Sequence, residues 1–252
     1  MRLSIVIRTY NRLEYLVRTI LSIYKKSGLN DNFYEIIVVD QGSTDGTREW
    51  LKSIKNNGYY PVRPVFTEEN VGDGRGMQIG IEVAKGEFIS QHDDDIEIYS
   101  PAYYRKLVHL YEFIENNHNI CALGGSHKQG INIDSAPFRF AKERDSMNKV
   151  VVLFEGGVNL VSTAWCTASF IFRKKFTEEV KFGKGMCNSF CGEWFDKGYE
   201  NFICEETKFW HIDSTDKGGE YVQKQHDKFP SYEYVFRHYK NFVKEKKANG
   251  NY

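Results

Sequence analysis

A net charge, an even set of cysteines and a long apolar run are all missing from this 252-residue sequence. Its 34 basic side chains are matched by 34 acidic ones, so no global field draws it to nucleic acid, which is not expected as a partner. No apolar stretch approaches the ~20 residues that span a bilayer. The cysteines, Cys121, Cys166, Cys187, Cys191 and Cys204, number five. No secretory signal is read in Met1-Arg2 and the short apolar run behind them, so reduced thiols in a cytoplasmic protein are expected. Cys187, Cys191, Cys204 and His211 have a spacing that matches no common zinc finger. Linkers, repeats and low-complexity blocks are lacking too. What the chain does have is 41% apolar and 15% aromatic residues, which suit a solid core and argue against disorder.

The first hundred residues alternate between two periods. Leu3 to Ile7 is a β-branched run that reads as a strand. Leu13, Leu16, Val17, Ile20, Leu21 and Tyr24 then mark one face of a helix over about 12–26. Tyr34 to Asp40 predicts a strand buried on both faces, followed by a helix to about Asn57. A poorer strand covers 61–67, a glycine-containing helix runs from about 70 to 84, and a fourth strand covers 86–91. Pro101 opens another helix, to about Asn117. Strand and helix in alternation imply right-handed crossovers and a mainly parallel sheet. Ligands of such sheets sit beyond the carboxyl ends of the strands. Three of those ends are polar: Thr9-Tyr10-Asn11-Arg12, Asp40-Gln41-Gly42-Ser43 and Asp93-Asp94-Asp95.

Three adjacent carboxylates repel one another, so they form either a solvated turn or a seat for a cation. In an extended segment Asp93 and Asp95 would face one way and Asp94 the other. Mg2+ or Mn2+ takes one or two carboxylates and completes its shell with substrate phosphates. A buried strand in front of the aspartates, and a rim shared with Asp40, favour the cation seat.

IVIRTYNR at 5–12, VVDQGSTDGT at 38–47, ENVGDGRGMQIGIEVAKGEFI at 69–89 and HDDD at 92–95 resemble, in order and spacing, the nucleotide-sugar motifs of family 2 glycosyltransferases. The resemblance implies a GT-A-like α/β fold: a Rossmann-like, mainly parallel sheet flanked by helices, with an irregular C-terminal acceptor half. It also implies one domain over 1–252, divided into a nucleotide-sugar-binding half (1–100), an acceptor half (101–230) and a C-terminal helix (231–252). Carried over by position, Thr9, Tyr10 and Arg12 line the nucleotide pocket, Asp40 bonds the base, and Asn70 and Arg75 lie near the nucleotide. Asp93 and Asp94 then face the ribose or sugar, and Asp95 ligates Mn2+ or Mg2+. The side chains suit these roles, since Tyr stacks on a base, a carboxylate accepts from a ring N–H and Arg pairs with phosphate. Asp40-Gln41 stands where the family usually has two acids.

Beyond residue 120 the periods loosen, with short extended segments at 121–125, 150–154, 202–204 and 207–212, and a glycine- and cysteine-rich stretch at 183–192 that reads as loop. Inverting transfer needs a carboxylate base opposite the leaving diphosphate. The resemblance points loosely to Glu193, with Asp196 second, although at i and i+3 the two also suit a plain helix face. His211 occupies the place of a family histidine that completes the metal shell or touches the diphosphate. Trp165 and Thr167 fall where the acceptor approaches. Tyr232 to Lys247 has helical spacing with basic and aromatic residues, which fits docking on the protein's own core or on a membrane surface. The expected activity is inverting, metal-dependent transfer from a nucleoside-diphosphate sugar, a UDP-sugar by resemblance, to a hydroxyl of a glycan or lipid-linked acceptor. A nucleotidyltransferase acting on sugar phosphates and a non-catalytic nucleotide-sugar-binding module are the alternatives.

Overall fold

The computed structural model describes residues 1–57, 61–127, 152–155, 157–163, 166, 168–182 and 188–212. The first four strands, β1 (Leu3–Thr9), β2 (Tyr34–Gln41), β3 (Val62–Thr67) and β4 (Phe88–Asp93), lie parallel in the order β3-β2-β1-β4. The later strands are β5 (Ile96–Ile98), β6 (Ile120–His127), β7 (Val152–Glu155), β8 (Val158–Thr163), β9 (Ser169–Arg173) and β10 (Glu200–His211). They extend the same sheet beyond β4 in the order β9-β6-β10-β8-β7. β9 is antiparallel to both neighbours, whereas β10 is parallel to β6. β5 pairs with the end of β10.

Helices cover both faces. Along β1 and β2 the side chains alternate, with Ile5, Ile7, Ile36 and Val38 in one apolar cluster and Val6, Ile37 and Val39 in the other. The first cluster takes the inner faces of α1 (Leu13–Lys26), α2 (Thr47–Asn57) and α4 (Tyr103–Ile114), through residues such as Leu16, Ile20, Trp50 and Leu107. The second takes α3 (Asp73–Val83), α5 (Phe176–Glu179) and α6 (Asn188–Asp196), through Met77, Ile81, Phe176, Phe190 and Trp194. α3 runs so close to β1 that a Cβ on Gly80 would stand 2.2 Å from Val6 Cγ1. That contact fixes the height at which the helix delivers its first residue, Asp73, to the strand ends.

Two readings of the second half are corrected. The stretch expected as loop over 183–192 becomes helical at Asn188, because Phe190, Cys191 and Trp194 form a buried stripe against the second cluster. The two short segments at 202–204 and 207–212 belong to one strand, β10, whose register against β6 slips between Cys204 and Lys208. β5 and β8 are too short and too mixed to have been anticipated. The helix expected at 231–252, and with it the membrane-surface contact, lies outside the described residues. Among the described residues no helix is long and apolar enough to cross a membrane, a statement that does not extend to strands.

Candidate active site at the strand ends

β1 and β4 end side by side, with Arg8 in register with Asp93. Beyond them lies a cavity of about 290 Å³ lined by Arg8, Thr9, Tyr10, Arg12, Gln41, Asp73, Asp93, Asp94, Asp95 and His211. The rim anticipated from the polar strand ends is therefore present, with Tyr10 exposed at its lip.

The aspartates do not alternate along a strand as expected. β4 stops at Asp93 and β5 starts at Ile96, so Asp94 and Asp95 form the turn between them and their side chains diverge. Asp93 accepts from the Arg8 guanidinium at 2.5 Å and from Gln91 at 2.6 Å. Arg8 also pairs with Asp73 at the start of α3, so one arginine joins β1, α3 and the turn. Asp94 points down into the protein, taking the Thr9 hydroxyl at 2.8 Å and Arg12 at 3.2 Å. Asp95, also buried, takes Arg12 at 2.6 Å and Nε2 of the half-exposed His211 at 3.2 Å.

These settings pull the acids apart. Burial pushes the Asp94 carboxyl up to about 7, in spite of Arg12 and Thr9. Burial also opposes ionisation of Asp95, but the His211 hydrogen bond, its charge and Arg12 win, and Asp95 is held below the usual carboxylate range. Its hydrogen bond to Asp95 in turn raises His211. The sign for Asp94 follows directly: its folded pKa lies above the unfolded value, so the folded state holds the extra proton between about pH 4 and 7, and stability falls as pH rises through that window. Asp94→Asn carries no such proton. In the metal-free protein it is expected to gain roughly 2–4 kcal/mol over wild type on going from pH 5 to pH 8, read from urea midpoints at the two pH values. An equal pH slope in the two proteins would refute the assignment.

Several expected site residues are not brought together. Asp40 is fully buried and its carboxylate takes Arg48 Nε at 3.0 Å and the Ser43 N–H at 3.3 Å, so it braces the β2 turn rather than lining the cavity. Asn70 accepts from the Gly72 N–H at 2.9 Å ahead of α3. Arg75 is exposed and pairs with Glu82 at 3.1 Å. Glu193 and Asp196 are exposed on α6, and neither lines the cavity. α6 runs toward the opposite edge of the sheet, where Lys197 pairs with Glu179 and the Glu200 N–H bonds Asn119 O beside the start of β6. The zinc reading also dissolves, since Cys191 is buried in the second core cluster while His211 sits at Asp95. Trp165, Thr167 and Cys187 lie outside the described residues. Arg8, Gln41 and Asp73 line the cavity unanticipated, although all three stand inside the motifs quoted above.

Asp95 Oδ2 and His211 Nε2, 3.2 Å apart, suit one Mg2+ or Mn2+, because adjacent ligands of an octahedral ion at about 2.1 Å stand ~3 Å from each other. Among the described residues no three acidic, histidine or cysteine side chains are placed to hold an ion by themselves. Phosphate oxygens and water would have to supply the other positions, as such ions prefer.

A doubly covered sheet with paired cationic and acidic groups beyond its parallel strand ends defines a Rossmann-like α/β protein. The profile described as Glycosyl transferase family 2 matches residues 4–176, and the chain belongs to that family. An uncharacterized glycosyltransferase of Nostoc sp. is 25% identical over 186 residues, covering 71% of this chain and 53% of that protein. The chain thus spans about half the length of that relative. Two solved structures share the GT-A fold. TarS residues 1–349 from S. aureus in complex with UDP-GlcNAc has a TM-score of 0.58 at 20% identity, over 86% of this chain and 60% of that one. A mannosyltransferase from Pyrobaculum calidifontis in complex with GDP-Man and Mn2+ has a TM-score of 0.63 at 16% identity, over 88% and 59%.

Proposed function

We propose that this protein transfers a sugar, with inversion, from a nucleoside-diphosphate donor to a hydroxyl of a glycan or lipid-linked acceptor, and that the donor is a UDP-sugar. The observation that carries the reading is the pairing of Asp95 with His211 at the mouth of a cavity that also holds two arginines. The acceptor class and the inversion rest on the family resemblance alone. Asp95 and His211 would hold Mn2+ or Mg2+, which when bound stabilises the negative charge growing on the departing diphosphate. Arg12 keeps the turn in place through Asp94 and Asp95, and its guanidinium at the cavity would pair with a donor phosphate. Tyr10, at the exposed lip, supplies a stacking face for a base. Glu193, with Asp196 second, is the base proposed for the acceptor hydroxyl, on the family resemblance alone.

Calorimetric titration of UDP, GDP, TDP and CDP, with and without Mn2+, tests the reading. Manganese-dependent uptake of one nucleotide, UDP, is expected. Folded protein that takes none of the four would overturn it.

A further inference from the structure

Next to the cavity residue Asp93, β4 carries a histidine that no role above uses. His92 precedes Asp93 on β4 and is completely buried. Its Nε2 lies 3.3 Å from the Ile96 carbonyl oxygen, on the far side of the three aspartates. A carbonyl can only accept, so Nε2 carries the hydrogen and Nδ1 is the acceptor. Nδ1 meets the Tyr104 hydroxyl at 2.8 Å and the Ser169 hydroxyl at 2.9 Å. Tyr103, next to Tyr104 on α4, donates to the same serine at 3.1 Å. Space for the Tyr103 hydroxyl exists because residue 125 is glycine, where a Cβ would stand 2.3 Å from that oxygen.

Each residue of the acidic turn is tied to a different element. The Asp93 N–H donates to Ala168 O at 2.9 Å, ahead of β9. Asp94 O accepts from the Thr19 hydroxyl of α1 at 2.8 Å, and Asp95 O accepts from the Ile212 N–H at 2.8 Å, beyond β10. The His92 ring spans the turn from within, joining the strand before the aspartates to the strand after them. Ala168 reaches its carbonyl contact in a left-handed conformation, φ 61°, the kind of local strain that surrounding structure has to hold in place.

We propose that His92 is a positioning residue: through its Nε2–H bond to Ile96 it fixes the turn that sets Asp95 against His211, and Tyr104 and Ser169 fix the ring. The proposal deepens the metal-dependent reading and rests on it for its catalytic consequence, while the clamp itself is a property of the protein without ligands.

Substitution of the two nitrogens separately tests it. Glutamine reaches with its amide nitrogen to the place of Nε2, whereas asparagine reaches only to that of Nδ1. In the metal-free full chain, hydrogen exchange across residues 93–98 is expected to quicken about tenfold in His92→Asn and to stay near wild type in His92→Gln. The Mn2+ concentration for half-saturation, measured by electron paramagnetic resonance with UDP present, is expected to rise about 10- to 100-fold in His92→Asn and within about threefold in His92→Gln. Tyr104→Phe, which deletes one hydroxyl, moves both readouts the same way by about threefold and decides the matter should a His92 variant fail to fold. Wild-type exchange and Mn2+ binding in His92→Asn would overturn the proposal. So would equal impairment of the two His92 variants at matched denaturation midpoints, since that is what a purely structural histidine gives. Wild-type protein that binds no Mn2+ with UDP, yet shows the exchange pattern, would sink the function and leave the clamp standing.

Discussion

Asp95→Asn is expected to lower sugar transfer by roughly 10³-fold while leaving the protein folded, the scale of losing a principal electrostatic contact to a leaving group. The substitution keeps the shape of the side chain and removes the charge that Arg12 and His211 share. Arg12 and His211 are 38% and 54% exposed but Asp95 itself is buried, its side chain 11% exposed, so the cost to stability is expected at about 1–3 kcal/mol. His211 provides a second readout. Its pKa is raised by the hydrogen bond to Asp95, so its titration, followed by NMR, should fall back toward the ordinary imidazole value in Asp95→Asn. The contribution that Asp95 makes to the folded state is present above its unfolded pKa and is lost as pH falls through the folded one, because its pKa is depressed. Full activity with an unchanged His211 titration would remove Asp95 from the metal site.

Phe172→Ala is expected to cost about 3–5 kcal/mol, the largest single loss of stability proposed for this chain. Phe172 is completely buried on β9, in register with Ile89 of β4 and Ala122 of β6. Its ring lies 5.8 Å from Phe170, 5.9 Å from Phe182 and 4.7 Å from Phe190. Phe182 and Phe190 stack on each other at 4.5 Å, so they cannot both collapse into the space that alanine leaves. Urea denaturation with an unchanged slope would give the figure directly. A loss below 1 kcal/mol would mean that this aromatic layer repacks freely around β9.

How much of this was legible in the sequence depends on how local the cause was. β1 to β4 and α1 to α3 follow from apolar period alone, and so does the rim where β1 and β4 end. The direction of a side chain at the rim was harder. Asp73 and Arg75 are two residues apart on α3, hence about 200° around the helix, so a helix that turns Asp73 to the cavity must turn Arg75 away. The resemblance put Arg75 beside the nucleotide and passed over Asp73. The acidic triplet was legible as a site but not as a turn, because nothing in its residues says that the chain turns after Asp93. Asp40 looked like a ligand contact because its partner, Arg48, comes from the next helix. In the second half, α6 was hidden by glycine and cysteine. The slip in β10 that brings His211 to Asp95 has no local signature at all, and only resemblance placed that histidine.

The position of β9 has a further consequence. β4, which carries His92 and Asp93, borders β1 on one side and β9 on the other, and β9 comes about 75 residues later in the chain. During synthesis on the ribosome, at roughly 5–20 residues per second, β4 therefore emerges several seconds before its second neighbour exists. For that interval the nascent chain presents an apolar strand edge that any other strand can join. The hundred residues that hold most of the cavity should consequently need a chaperone, or their own second half, to stay in solution. Cutting the gene after residue 100 is expected to yield aggregate rather than a small nucleotide-binding protein.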